Sequence, residues 1–232
     1  MNQTRVALVG ASGRMGKEIS AIIEDKSDMA VSAKIDQSGE GLGSLSDVNP
    51  KEVDVVIDFS RAENFSTTLN WCVENNIKLV SGVTGLNEKD REALDMGSKK
   101  IPILWAANMS VGVAIMNKCL ELFGSLGGDS FDYQLEEIHH KNKIDSPSGT
   151  AKYLQGTLER VLQKKMPEVL AVRGGGVFGV HKLWAISEEE VLTIEHQALN
   201  RKVFAKGAVV AANWIQGQGA GKHTMEDALG LS

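Results

Sequence analysis

The stretch VALVGASGRMGKEI, residues 6–19, limits what this chain can fold into more than any other. A short apolar run without alternation is the pattern of a strand buried on both faces of a parallel sheet. After it, Met15, Ile19, Ile22 and Ile23 recur at helical spacing. Gly10, Gly13 and Gly16 fall at the junction. The spacing is GxxGxxG rather than GxGxxG, so the pattern is weak by itself. Its setting is strong: strand, glycines, helix, second strand, then an acid. Glycine lets backbone approach a pyrophosphate, and the helix N-terminus offers free N–H groups and partial positive charge. Arg14 adds a cation beside them, and Met15 follows it. Asp36 ends the second strand, 26 residues after Gly10. A carboxylate there accepts hydrogen bonds from both ribose hydroxyls and repels a 2′-phosphate. The neutral Gln37 beside it favours NADH over NADPH, and Lys34 softens that preference.

Strand and helix patterns keep alternating. MAVSAKID and DVVIDFS read as strands, 63–75 as a helix, IKLVSG as a strand, 87–100 as a charged helix and IPILWAAN as another strand. This order implies a parallel sheet with right-handed crossovers. Three more loops fall at strand C-termini, where open α/β sheets bind ligands: Phe59–Asn64, Ser81–Asn87 and Ala106–Gly112. After Ser110 the pattern changes. A helix through VAIMNKCLELFGSL, an alternating strand FDYQLEEIHH and a long helix after Pro147 lead to GVFGVHKLWAI and VLTIEHQAL, an antiparallel hairpin. RKVFAKGAV is expected to add a strand. The fold class is therefore α/β. A Rossmann-like, parallel-sheet dinucleotide-binding domain over 1–110 precedes an α+β domain over 111–206, whose open sheet is mixed or antiparallel. The open face of that sheet needs covering, and subunit association would cover it.

Composition excludes several classes. The formal charge is −5, so no basic field exists to hold nucleic acid. No apolar run approaches the roughly 20 residues that span a bilayer. The N-terminal residues run directly into the first strand without a signal-peptide layout, so a cytoplasmic protein is expected. Cys72 and Cys119 are two separated thiols among apolar neighbours, a pattern for neither a metal site nor a disulfide framework.

The densest chemistry is HHKNKIDSPSGT, residues 139–150. His139 and His140 end a strand, and Lys143 lies in the following loop. Ser146 is expected to cap a helix and Pro147 to occupy its first turn. The N–H groups of Ser148, Gly149 and Thr150 would then point into open space as an anion site. Lys143 and this helix start would hold a carboxylate, with His140 bonding to it. A histidine ordinarily titrates near neutrality, so His139 is expected to supply a proton.

This stretch resembles the dihydrodipicolinate reductase (4-hydroxy-tetrahydrodipicolinate reductase) family, whose pattern E-x-H-H-x-x-K-x-D-x-P-S-G-T-A stands here as EIHHKNKIDSPSGTA, residues 137–151. VGASGRMG, VVIDFSRAE, SGVTG and AANMSVGV resemble its cofactor-side segments, and VRGGGVFGVHKLW and IEHQALNRKVFAKGA its later ones, in the expected order. The resemblance implies His139 as general acid and Lys143 as its cationic partner at the substrate. It implies His140, Lys143, Gly149 and Thr150 as carboxylate contacts, with Arg201 orienting that region. Gly10, Gly13, Arg14, Met15, Asp36, Phe59, Gly82, Thr84, Ala107, Asn108 and Met109 would lie near NADH or NADPH. It also implies a homotetramer built through the second domain, with 207–232 returning to the first. Asn142 stands where many members carry histidine, and Gln37 where NADPH-using members often carry arginine. The chain is also shorter than many members just before VRGGG.

The implied reaction belongs to the diaminopimelate route to lysine. Hydride passes from nicotinamide to a ring carbon of a cyclic unsaturated dicarboxylate docked between the domains, and His139 protonates the neighbouring atom. An aspartate-type amino-acid dehydrogenase and a non-catalytic dinucleotide sensor are the alternatives. The first has no need of the KIDSPSGT segment, and the second no need of the histidine–lysine cluster.

Overall fold

The computed structural model describes residues 3–36, 41, 43–126 and 129–231; Gln37 lies outside them. The chain divides into two compact units. One takes the residues up to Ser110 together with Phe204 onward, the other Val111–Val203.

The first unit begins with β1 (Thr4–Val9), α1 (Arg14–Glu24) and β2 (Met29–Ile35). β3 (Val55–Asp58), α2 (Ala62–Glu74), β4 (Lys78–Ser81), α3 (Glu88–Ser98) and β5 (Pro102–Trp105) continue the alternation. The strands form one parallel sheet, with β2, β1, β3, β4 and β5 side by side in that order. All four residues of β3 are buried, as a central parallel strand covered on both faces requires. Phe65 and Leu69 of α2 and Leu94 of α3 pack with Val56, Leu79 and Ile103 of the sheet to form the core on one face. Asn87 and Asp90 form a reciprocal capping box that fixes where α3 begins. β1 lies between β2 and β3, so the winding reverses there, and the crevice at the C-terminal ends of β1 and β3 is the natural ligand position.

In the second unit, α4 (Val111–Glu121) is followed by β6 (Asp132–His139), α5 (Gly149–Leu162), β7 (Leu170–Arg173), β8 (Val180–Ile186) and β9 (Val191–Gln197). The sheet runs β7-β6-β8-β9 and is mixed: β6 and β7 are parallel, whereas β8 pairs antiparallel with both β6 and β9. Tyr133, Leu135, Glu137 and His139 occupy the inner face of β6, as strict alternation dictates. Leu154, Leu158 and Leu162 of α5 pack on this face with Leu183 and Ala185 of β8. Phe123, Phe131 and Tyr133 make mutual edge-to-face contacts in the same cluster.

Two sequence expectations fail here. RKVFAKGAV is not a strand; it opens α6 (Lys202–Trp214), whose Ala205, Ala208, Val209, Ala211 and Ala212 are buried at helical spacing. The Asn200 side chain accepts from Lys202 N at 3.0 Å and settles the helix start. The short apolar run VFA, which by itself suits a strand, is overridden by the alanine-rich stretch that follows it. α6 leads to β10 (Gly221–His223), which joins the edge of the first sheet beside β5, and to α7 (Met225–Ala228). The second failure concerns Ser146 and Pro147. Neither belongs to α5, which starts at Gly149 with Ser148 as its N-cap; the Ser148 hydroxyl accepts from Ala151 N at 3.1 Å. Ser146 and Pro147 lie outside the helix, joined by a cis peptide bond.

Candidate active site

In the first unit the crevice is a cavity of about 580 Å³ lined by Gly10, Ser12, Gly13, Asp36, Ser44, Phe59, Arg61 and Asn64, among others. The glycine loop is built by close contact. Gly10 has φ +81°, and a Cβ there would come within 2.8 Å of Phe59 O. A Cβ on Gly16 would come within 2.2 Å of Gly10 O, so only glycine lets α1 approach β1 this closely. Gly13 is the N-cap of α1 and offers no side-chain cap, so the helix start depends on an outside partner. Asp36 Oδ2 accepts from Ser12 N at 2.7 Å and from the Ser12 hydroxyl. This clamp between β2 and the loop holds the carboxylate at the cavity wall. A pre-shaped loop, a helix N-terminus without a side-chain cap and a carboxylate beside one cavity fit a dinucleotide.

The other expected cofactor residues are more dispersed. Arg14 is exposed at the first position of α1, and Met15 is half-buried. The Phe59 ring lies against Gly82, where a Cβ would meet it at 2.4 Å. Thr84 and Ala107 are exposed beyond β4 and β5. Asn108 Oδ1 accepts from Ser110 N at 2.9 Å, and Met109 is buried. None of Arg14, Met15, Gly82, Thr84, Ala107, Asn108 and Met109 lines the cavity. Arg61 and Asn64, within the expected loop Phe59–Asn64, do, as do Ser12 and Ser44, which were not singled out. The signal of Ser12 and Ser44 lay in position alone, since they follow β1 and β2 in the chain. Lys34 pairs with Glu24 at 3.8 Å.

The second unit gathers the titratable cluster at the end of β6. Glu137 is fully buried. Its Oε1 accepts from Arg173 Nη2 at 2.7 Å and from Ser148 N at 3.0 Å. Its Oε2 accepts from Arg173 Nη1 at 2.8 Å and pairs with His139 Nδ1. Burial pushes the Glu137 carboxyl up, but the guanidinium fork, His139 and the amide outweigh it and leave the group below the usual carboxylate range. Burial is also the main influence on His139. It exceeds the pull of Glu137, is reinforced by Lys143 and Arg173, and holds the imidazole below its usual range.

His181 of β8 stands opposite Glu137 in the sheet register, with its ring edge-on to His139 at 5.2 Å. Its Nε2 meets the Ser148 hydroxyl at 3.2 Å. Burial, with His139 adding to it, pushes His181 down to about 3, so it is neutral at physiological pH. A Cβ on Gly179 would come 3.0 Å from His139 Nε2, so that nitrogen faces a position cleared of side chain.

The expected anion grip is only partly as read. Lys143 Nζ pairs with Asp145 Oδ1 at 2.8 Å, and Gly149 N donates to Asp145 Oδ2 at 3.3 Å. Ser148 N is consumed by Glu137. The N–H groups of Ser148 and Gly149 therefore do not point into open space; two of the protein's own carboxylates take them. The position beside Gly149 is nonetheless clear, since a Cβ there would meet nothing within 4 Å. Thr150 follows Gly149 in the first turn of α5. The His140 backbone is pinned through its N–H to Val177 O at 2.8 Å. Arg201 lies over the Phe178 ring, 5.4 Å from its centroid.

Family models match both parts of the chain: "Dihydrodipicolinate reductase, N-terminus" over residues 4–109 and "Dihydrodipicolinate reductase, C-terminus" over residues 112–229. The chain belongs to the dihydrodipicolinate reductase family. Its activity is that of a 4-hydroxy-tetrahydrodipicolinate reductase, an NAD(P)H-dependent oxidoreductase. The 4-hydroxy-tetrahydrodipicolinate reductase of Bdellovibrio bacteriovorus is 47% identical over 229 residues, covering 99% of this chain and 97% of the relative. That of Rickettsia akari is 34% identical over 242 residues, covering 98% and 97%. A dipicolinate-bound dihydrodipicolinate reductase from Paenisporosarcina sp. TG-14 shares the fold, with a TM-score of 0.82 at 21% identity over 96% of this chain and 98% of that one.

Proposed function

We propose that the second unit holds the cyclic dicarboxylate at Lys143, Gly149, Thr150 and His140, and that His139 gives it a proton from Nε2. The carrying observation is the His139 environment. A buried carboxylate engages Nδ1, while Nε2 faces the position kept clear at Gly179.

When bound, the reduced nicotinamide supplies the hydride, which one ring carbon of the conjugated substrate accepts. His139 Nε2–H protonates the neighbouring atom, and solvent then restores the imidazolium. Burial keeps the His139 imidazole below its usual range in the free protein, and a doubly anionic ring favours its protonated form, so substrate binding and acid formation are linked. Lys143 and the start of α5 stabilise the charge that builds on the substrate.

Gly10, Gly13, Arg14 and Met15 would hold the pyrophosphate, and Asp36 the adenosine ribose. Phe59, Gly82, Thr84, Ala107, Asn108 and Met109 would serve the rest of the dinucleotide, with Met109 reaching it through backbone. Asp36 favours NADH. Arg61 lines the same cavity, so NADPH is used less well rather than excluded.

The outer face of the mixed sheet carries exposed Leu170, Val172, Ile186 and Val191. Association of copies through this face, as a homotetramer, would bury them. No helix among the described residues is long and apolar enough to cross a membrane, and the proposed reaction is cytoplasmic.

The test is steady-state oxidation of NADH and NADPH, in parallel, with freshly generated 4-hydroxy-tetrahydrodipicolinate. Turnover with both and higher kcat/KM for NADH is expected. Oxidation independent of added dicarboxylate contradicts the substrate assignment.

A further inference from the structure

We infer that Glu137, braced by Arg173, is a positioning residue that fixes the His139 tautomer and confines proton donation to Nε2. This rests on the proposed role of His139 and extends it to two residues that are assigned no substrate contact.

The geometry is over-determined. Glu137 and His139 are two apart on β6 and share its inner face. Arg173 of β7 is the register partner of His139 in the parallel pairing. Its guanidinium meets both Glu137 oxygens, at 2.7 and 2.8 Å, in a planar fork. The remaining lone pairs take Ser148 N at 3.0 Å and His139 Nδ1. Each oxygen thus has two partners, and rotation of the carboxylate would break all four contacts.

A buried carboxylate–guanidinium pair is costly, and well-packed apolar residues of similar volume commonly fold as stably. Folding alone does not call for it. Its effect on His139 is specific, because an acceptor at Nδ1 keeps the proton there in the neutral imidazole. Nε2, beside Gly179, is then the nitrogen that gains and gives the catalytic proton. The contact to Ser148 N adds a second consequence. The same carboxylate sets the start of α5, so acid and carboxylate grip are held in register.

The charged groups facing His139 are Glu137 on its own strand, Arg173 on β7, Lys143 in the following loop and His181 on β8, with His196 of β9 acting on His181. Among these, Glu137 favours the imidazolium and Arg173 and Lys143 oppose it. Removing the Glu137 charge alone therefore moves the His139 titration to lower pH.

The direct test is nitrogen-15 NMR of the histidine rings in the full-length, unsubstituted protein. Neutral His139 carrying its proton on Nδ1 is expected, and a proton on Nε2 would overturn the inference. This readout needs no substrate, so it stands apart from the assignment of the reaction. In Glu137→Gln the expected result is a fall in kcat of about 100-fold or more, in the range seen when a histidine loses its orienting carboxylate. KM for the dicarboxylate should change by less than about threefold, and the descending limb of the kcat–pH profile should move to lower pH. Glu137→Asp should recover part of kcat and return the limb towards its original position. Loss of kcat with an unmoved limb and an unchanged tautomer would assign Glu137 a structural role only and refute the inference.

Discussion

Asp145 occupies the site proposed for a substrate carboxylate. Its oxygens bridge Lys143 Nζ at 2.8 Å and Gly149 N at 3.3 Å, the two donors assigned to the ligand. Burial pushes the Asp145 carboxyl up, but the hydrogen bond and charge of Lys143, with the backbone N–H groups, outweigh it and hold the group below its usual range. An arriving dianion must displace this internal anion. The Asp145 side chain is 53% exposed, so solvent screens the pair and its worth is about 0.5–1 kcal/mol. Asp145→Asn removes the charge with little change of shape. Affinity for pyridine-2,6-dicarboxylate should therefore rise by roughly two- to fivefold, the equivalent of that energy. Isothermal titration calorimetry on both proteins, with NADH present, reads this directly. Raising the salt concentration should shrink the difference, because the pair is exposed. Weaker binding in the variant would refute the reasoning, since it would mean that Asp145 holds Lys143 in its working position rather than competing for it.

Gly179→Ala places a Cβ about 3.0 Å from His139 Nε2, and kcat should fall at least tenfold while NADH affinity is unchanged; unaltered turnover would remove Nε2 from the reaction. Asp36→Asn keeps an acceptor for Ser12 but loses the charge, so the NADH-to-NADPH ratio of kcat/KM should drop by about tenfold, roughly 1.4 kcal/mol of relieved repulsion. A constant ratio would assign cofactor preference elsewhere. His181 titrates near 6.5 when unfolded and about 3 when folded, so the unfolded chain binds the extra proton between these values. Its stabilisation is complete above pH 6.5 and declines on acidification by up to about 1.4 kcal/mol per pH unit. Urea unfolding at pH 6.5 and 5.0 should show wild type losing about 1.6 kcal/mol more than His181→Gln, and equal losses would contradict a neutral buried imidazole.

Much of the first unit was legible because its signals are local. A both-face-buried strand, a glycine cradle and an acid ending β2 brought Gly10, Gly13 and Asp36 to one cavity. The clamp from Asp36 to Ser12 was not legible, since it joins residues 24 apart whose types suggest no pairing. In the second unit His139 and Lys143 stood out by type; Arg173 stood in the family-like segment VRGGGVFGVHKLW, but its pairing with Glu137 was not legible. Arg173 is 36 residues from Glu137, and the four-residue β7 that carries it is too short to show a period. Glu137 had two signals: it opens the family pattern over residues 137–151, and strand alternation places it. Alternation puts it on the same face as His139 and sends Glu136 outward. The start of α5 was misplaced for a long-range reason. Two serines flank Pro147, and the buried Glu137 engages the second of them, so a contact from β6 settles the first turn of the helix. RKVFAKGAV misled because its apolar run VFA is too short to show a period, and the buried alanines after it decide for helix.

The most direct test of the central assignment is His139→Gln, with kcat and NADH dissociation constant measured on the same preparation. The account predicts a loss of turnover of about 100-fold or more, the scale of a positioned general acid, with NADH affinity within twofold of wild type. Turnover that survives the substitution, or that falls only in proportion to cofactor affinity, would contradict it.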